Sequence, residues 1–432
     1  MQRMCAWSAD ANHHISRRMT SPGPAAEPEV VIGSREQLLH LLAEASEIEH
    51  TLMCSYLYAA FSLKREHDDG LSRAEGAAVE RWRKAIMGVA VEEMGHLLMV
   101  ANLTVAVGGR PHFGRPNFPV SPGYFPSGVV VRLSGFSAET LDHFIFLERP
   151  RGVEGNDAEE YQQPDYAREQ AVPGLMPSAQ DYTTIGHLYE AIRTNLRALA
   201  GRLGEQRLFL GESEAQVGAA VIDLDGVATI RTLHDALAAI DLIVEQGEGS
   251  PSDRDESHYQ SFLAIRAEFR KLGKSRSGFS PAWPVADNPV LRQPPDPEDK
   301  VFIADPEAAR LLDFTCAAYG LLLRLLVQTF GRTGKSAAAD QAKIMDAALA
   351  LMHVVGAASG QLARLPANPD HEGVNAGMSF TMLRSVAPLL DGAIEWEIIR
   401  EQFETLASAA VGDALVDPVR EVAKRFAKAS KD

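Results

Sequence analysis

Two stretches of this chain combine carboxylates and a histidine at a spacing that suits metal binding. They are Ser46-Glu47-Ile48-Glu49-His50 and Val91-Glu92-Glu93-Met94-Gly95-His96. Glu49 recurs with Leu38, Leu42, Ala45, Leu52 and Tyr56 at intervals of three or four, so it falls on the apolar stripe of a helix. Glu93 and His96 share a face with Ile86, Val89, Val100, Leu103 and Val107 in the same way. A carboxylate buried without a partner is costly. The i,i+3 spacing of Glu93 and His96 stacks carboxylate and imidazole on one helix face. Helices that aim Glu and Glu-x-x-His inward hold pairs of metal ions in bundle cores. The alternative is a Glu–His hydrogen bond on a partly exposed face. Glu92 and His50 lie about 100° around their helices from these residues. They read as groups that orient the ligands or as surface groups.

Later helices divide less sharply. His187, Glu190 and Thr194 form a polar stripe beside the apolar stripe of a third helix. Glu190 is the candidate carboxylate there, against a solvated face. Asp241, Glu245 and Glu248 form a polar stripe on a fourth helix. After a polar break, His258 aligns with Phe262, Ile265 and Phe269. It reads as a ligand or as a packed core histidine, and Asp255-x-x-His258 is a second carboxylate–histidine pair. Tyr189 falls on the apolar side of the third helix and is expected to border the cavity. Tyr56, Tyr58 and Cys54 lie within two turns of Glu49, with packing their expected role and redox activity of a tyrosine the alternative. His353, His371, Glu395 and Glu397 lack ligand spacing.

The elements that must position these residues follow from the same periodicity. Helices are predicted over 34–65, 74–107, 184–203 and 230–247, the last continuing after a break to Phe269. Ser34 is the expected N-cap of the first, with Gln37 completing a capping box. Gly108-Gly109 followed by Pro111 ends the second. Gly95 inside that helix suggests a close approach. Residues 110–182 are rich in aromatics and loops, with a strand expected at Val129 to Leu133 and a short helix at Ala138 to Leu147. Such an excursion between the second and third helices is what a crossover connection requires. The aromatic part, residues 113 to 126, is expected to wall an apolar pocket beside the metals. The expected organisation is a disordered leader at 1–30, a bundle domain at 31–270, a Pro-rich linker at 271–306 and a C-terminal helical domain at 307–432.

Composition narrows the classes. The chain has 432 residues, 46% of them hydrophobic, and a formal net charge of -16, which leaves no basic excess for nucleic acid. Cys5, Cys54 and Cys316 are scattered, so no disulfide framework, zinc ribbon or iron–sulfur site is expected, and a reducing cytoplasmic setting fits. No run of about 18 uninterrupted apolar residues occurs, so no membrane span is expected. The first residues do not read as a secretory signal.

Several motifs together resemble a known family. Ile48-Glu49-His50 running to Ser55-Tyr56-Leu57-Tyr58, and Glu92-Glu93-Met94-Gly95-His96-Leu97 running to Gly108-Gly109, are similar to the ferritin-like domain of iminophenyl-pyruvate dimer synthases. Those enzymes act in violacein and rebeccamycin biosynthesis. Thr184-Ile185-Gly186, Glu245-Gln246-Gly247-Glu248-Gly249, Ser257-His258-Tyr259 and Ala376-Gly377 extend the resemblance. It implies a mainly α fold: a ferritin-like four-helix bundle with a long crossover between helices 2 and 3, plus a C-terminal helical region. It also implies metal ligands at Glu49, Glu93, His96, Glu190, Glu245 and His258, holding two Fe ions, with Mn or a mixed Mn/Fe pair satisfying the same ligands. The expected activity is di-iron oxidation or oxygenation of an amino-acid-derived small molecule with O2. Oxidative coupling of two imino-acid molecules and metal binding without turnover are the alternatives. Expected partners are the substrate and O2, without nucleic acid or membrane, and a homo-oligomer is compatible with the chain.

Overall fold

The computed structural model describes residues 27–68, 70–126, 129–162, 180–248, 257–295, 299–332, 337–384, 392–409 and 411–429. Most of the expected leader, residues 1–26, lies outside the described residues, as do 163–179 of the polar excursion and Asp255.

Four helical positions close a ring. Helix α1 (Arg35–Ser62) packs along α2 (Arg73–Ala106) and touches α4 (Ile185–Leu203), while α6 (Leu233–Gly247) packs on both α4 and α2. The fold is mainly α, as the sequence predicts. Helix α7 (His258–Ser275) continues the fourth position, packing on α2 and on α3 (Ala138–Leu147), which lies within the crossover. A single turn, α5 (Glu205–Leu208), follows α4.

Side chains set the helix starts. Ser34 accepts from Gln37 N, but the Gln37 side chain reaches Gly33 N, so the expected box is not closed on Ser34. A complete box stands at Ser72 and Glu75 instead, with bonds of 3.3 and 2.7 Å, and starts the long α2. Thr184, Thr232 and Ser257 cap α4, α6 and α7. A Cβ on Gly95 would meet its nearest neighbour at 3.9 Å, an ordinary contact, so no close approach explains that residue.

Residues 129–133 run without forming the expected strand. Their backbone groups bond to isolated partners, chief among them the side chain and backbone of Asn288. Leu133 N donates to Asn288 Oδ1 at 2.9 Å, and Asn288 N donates to Leu133 O at 2.9 Å. The strands described lie in the Pro-rich segment, where β1 (Pro289–Val290) pairs in parallel with β2 (Val301–Phe302). That segment crosses the end of α1 through Trp283 N to Ser62 O at 2.8 Å, and meets the C-terminal part through Ala286 N to Asn375 O at 2.8 Å.

Beyond it, α8 (Pro306–Thr329) and α9 (Ala337–Leu362) pack side by side, and α10 (Gly392–Ala407) and α11 (Asp413–Ala429) pack on them. One apolar core runs from Val30 to Phe426 and joins these helices to the bundle. His50 is a fastening point. Its Nδ1 pairs with Phe113 O at 3.1 Å and its Nε2 with Tyr319 OH at 2.5 Å. Three helices, Arg73–Ala106, Pro306–Thr329 and Ala338–Leu362, are long and apolar enough to cross a membrane by length and composition. The first two bury most of their apolar stretch inside the molecule, and the third half of it.

The loop after α5 presses on the end of α2. Gly211 N donates to Ala106 O at 3.0 Å, and a Cβ on Gly211 would stand 1.7 Å from Val105 O. Backbone cannot yield as a flexible side chain does. Gly211→Ala is therefore expected to cost about 1–3 kcal/mol, the range for overpacking. A lower denaturant midpoint with unchanged helix content would be the measured sign.

Candidate metal centre

Three helices and one helix end converge on Glu93. Glu49 from α1, Glu93 and His96 from α2, and His258 at the first turn of α7 are each no more than 2% exposed. His96 Nδ1 lies 3.1 Å from Glu93 Oε2 and 3.4 Å from Glu49 Oε2. His258 Nδ1 lies 3.0 Å from Glu93 Oε1 and 3.7 Å from Glu148 Oε2. Two groups result: Glu49, Glu93 and His96, and Glu93, Glu148 and His258. Within each, the potential ligand atoms all lie within 4.8 Å of one another. Glu93 belongs to both and offers one oxygen to each side.

The groups around the ligands repeat the same pattern on both sides. His96 Nε2 pairs with Gln246 Oε1 at 2.9 Å, and His258 Nε2 with Glu92 Oε2 at 2.8 Å. An acceptor on Nε2 fixes each ring with Nδ1 facing the carboxylates, where loss of the Nδ1 proton would free a lone pair for a metal. Tyr189 donates its hydroxyl to Glu49, and Tyr56 donates to Glu148. His258 Nδ1 is buried and has no hydrogen-bond partner, despite its closeness to two carboxylates. A buried imidazole nitrogen without a partner, aimed between carboxylates, fits a cation better than it fits a closed hydrogen-bond network. The fold and these buried Glu and His groups are compatible with a di-metal site.

The electrostatics agree with a site built for positive charge. Burial, and then the charge of Glu93, push the Glu49 carboxyl up. Burial also acts to raise Glu93, but its hydrogen bond with Glu49 and the charges of His258 and His96 outweigh it and hold Glu93 low. Burial disfavours charge on His96, yet Glu93 and Glu49 lift it to about 10. His258 is raised well above its usual value by Glu93, Glu148 and Glu92 against the same burial. The raised carboxyl and imidazoles favour bound protons in the metal-free site, and a cation bound there would displace them.

A small cavity adjoins the carboxylates. It is lined by Leu52, Leu147, Ile185, Tyr189, Ile243 and Val244, with Glu49, Glu93, His96, Glu148 and Glu248. Its volume of about 20 Å³ has room for one water-sized molecule. The expected wall of residues 113 to 126 is not there. Phe113 packs on Phe330, and Arg115 donates to Tyr319 OH at 3.2 Å and to Phe380 O, so that segment serves the contact between the bundle and the C-terminal helices.

Two expected ligands stand elsewhere. Glu190 is partly exposed and pairs with Arg193 at 3.2 Å, while Arg193 also reaches Asp241 on α6. It lies one residue past Tyr189, which takes the inward position, and is turned out by about 100°. Glu245 is exposed, because Ile243, Val244 and Gly247 are the α6 residues that face the cavity. His50, next to Glu49, is directed to Phe113 and Tyr319 and away from the carboxylates. Tyr58 donates to Ala286 O, and Cys54 lies 3.6 Å from Tyr319 OH.

Glu148 is the group that sequence reasoning missed. It caps the C-terminus of α3 and is 5% exposed. A signal existed: Glu148 follows Leu141 by seven and Phe144 by four, so it continues the apolar stripe of a helix predicted only as far as Leu147.

Comparison with known proteins adds four findings. A family profile described as ferritin-like matches residues 42–267. Dichlorochromopyrrolate synthase of Lentzea aerocolonigenes is 29% identical over 424 residues, covering 89% of this chain and 40% of that protein. A protein named 2-imino-3-(indol-3-yl)propanoate dimerase, of Chromobacterium violaceum, is 28% identical over 357 residues, covering 78% of this chain and 32% of that protein. The chain thus spans well under half the length of these relatives. A solved ferritin-like protein from Caulobacter vibrioides aligns with 82% of this chain and all of its own, at 18% identity and a TM-score of 0.47.

Proposed function

The chain belongs to the ferritin-like family, and from that premise we propose that it holds two metal ions, iron by preference, and uses O2 to oxidise an amino-acid-derived small molecule. One observation carries this reading. Glu93 is shared by two buried carboxylate–histidine groups, each with an imidazole Nδ1 turned inward.

Bound between these groups, two iron ions (or manganese, or one of each) would supply the electrons that reduce O2 and recover them from the substrate. The residues have separate tasks. Glu49 and His96 would hold one ion and Glu148 and His258 the other, with Glu93 offering an oxygen to each group. Gln246 and Glu92 fix the imidazole rings. Tyr189 and Tyr56 each bind one oxygen of a terminal carboxylate and leave the other for metal. Leu52, Leu147, Ile185, Ile243 and Val244 form the apolar side of the adjoining cavity, whose size suits a small guest such as O2.

Anaerobic loading with Fe(II) followed by metal counting tests the premise, with about two ions per chain expected. O2 uptake that depends on added substrate then tests turnover. Metal bound without O2 consumption would favour a non-catalytic metal-binding protein.

The relatives' names favour a second reading, oxidative coupling of two imino-acid molecules. Joining two such molecules by a carbon–carbon bond removes two hydrogens, which O2 accepts to become hydrogen peroxide. Incubation with the imino acid released by an amino-acid oxidase separates the readings. Coupling gives a product with two hydrogens fewer than twice the monomer, whereas oxygenation gives a monomer carrying added oxygen.

The groups that orient the ligands make their own prediction. Gln246→Leu removes the acceptor that holds His96 Nε2. Metal affinity is expected to fall about 10–100-fold, the usual effect of losing such a partner. Competition against a chelator of known affinity measures it, with the circular dichroism spectrum unchanged.

A further inference from the structure

We infer that Glu248 is the carboxylate through which divalent cations enter the metal cavity. The inference rests on the di-metal reading and adds a route to it. Among the described residues, Glu248 is the carboxylate that lines the cavity without belonging to either ligand group. It sits at the C-cap of α6 and is partly exposed, so it faces both the cavity and the surface.

Its placement is built. Arg151 N donates to Glu248 Oε2 at 3.1 Å, and Thr184 Oγ1 donates to Oε1 at 3.5 Å. Gly186 N, at the start of α4, is a further donor. A Cβ on Gly186 would stand 1.8 Å from Glu248 Oε1, so glycine there leaves room for the carboxylate. All three donors are neutral. The Arg151 and Arg149 guanidiniums lie near enough to act on Glu248 through charge, but neither hydrogen-bonds it, and Arg151 is engaged by Glu27 at 2.7 and 2.5 Å.

The path inward is also marked. Gly247, the next residue back, would bring a Cβ within 3.4 Å of Glu148 Oε2, so the backbone beside Glu248 lies against the Glu148 carboxylate. Behind Glu148 stands His258 Nδ1, buried and without a hydrogen bond, 3.0 Å from Glu93 Oε1. A cation that meets Glu248 first has a carboxylate, and then an imidazole nitrogen, to pass to.

Stopped-flow uptake of Co(II) by the purified metal-free chain, followed by its visible absorption, tests the route. Glu248→Gln keeps the side-chain shape and removes the charge. It should slow uptake about tenfold, flatten the dependence on ionic strength and leave the final count of ions per chain unchanged. Glu245→Gln, three residues away on the exposed face, should load at the wild-type rate. Equal rates for Glu248→Gln and wild type, the same slowing in Glu245→Gln, or a lower final count in Glu248→Gln would each overturn the inference. A wild-type chain that takes up no metal overturns the di-metal reading as well.

Discussion

Replacing Glu93 by alanine is expected to empty both metal positions at once, lowering iron from about two ions per chain to below one. Glu93 is the residue common to the two groups, offering Oε2 toward His96 and Oε1 toward His258. No neighbour can take its place, because Glu92 is directed to His258 Nε2 and Glu49 lies on the His96 side only. Substrate-dependent O2 uptake should vanish with the metal. The variant also leaves two buried imidazoles without their shared counter-charge, which destabilises the metal-free chain on the order of 3–5 kcal/mol. Glu93→Gln keeps the shape and guards against misfolding. It should remain folded and still fail to hold two ions, because an amide cannot bridge two cations as a carboxylate does. Retention of two ions by a folded Glu93→Gln protein would contradict the shared-ligand arrangement.

The second large effect concerns the residue that periodicity did not mark. Glu148→Ala should reduce loading to about one ion per chain, by removing a ligand from the His258 group and leaving Glu49, Glu93 and His96 intact. Glu190→Ala and Glu245→Ala should leave the count unchanged, since the first pairs with Arg193 and the second is exposed. The three variants separate the geometry seen here from the plain pattern of one carboxylate per bundle helix. Metal counting after anaerobic loading reads all three. A halved count in Glu190→Ala with full loading in Glu148→Ala would reverse the assignment.

That contrast shows what the sequence could convey. Glu49, Glu93 and His96 stand out because long helices make a clear stripe, and a carboxylate within the stripe must be turned inward. His258 was legible for the same reason, through Phe262 and Ile265. The helices themselves were legible to within a few residues, since Ser, Thr and Gly mark their ends. Glu148 escaped because α3 is only ten residues long and Glu148 stands at its C-cap, where a stripe of three positions has little contrast. Glu190 misled because the polar stripe on α4 serves a contact with α6, through Arg193 and Asp241, and Glu245 because its side of α6 is exposed. Their inward positions hold Tyr189 and Ile243, which periodicity counts as core. The Val129 to Leu133 segment has strand-like residues but finds its partner in the Asn288 side chain, 155 residues away, which no local pattern shows.

The most direct test is X-ray diffraction from crystals of the iron-loaded protein, with data collected on both sides of the iron absorption edge. Two anomalous peaks are expected, one among Glu49, Glu93 and His96 and one among Glu93, Glu148 and His258, with Glu93 between them. No peak at these residues, or a peak at Glu190 and Glu245, would contradict the account.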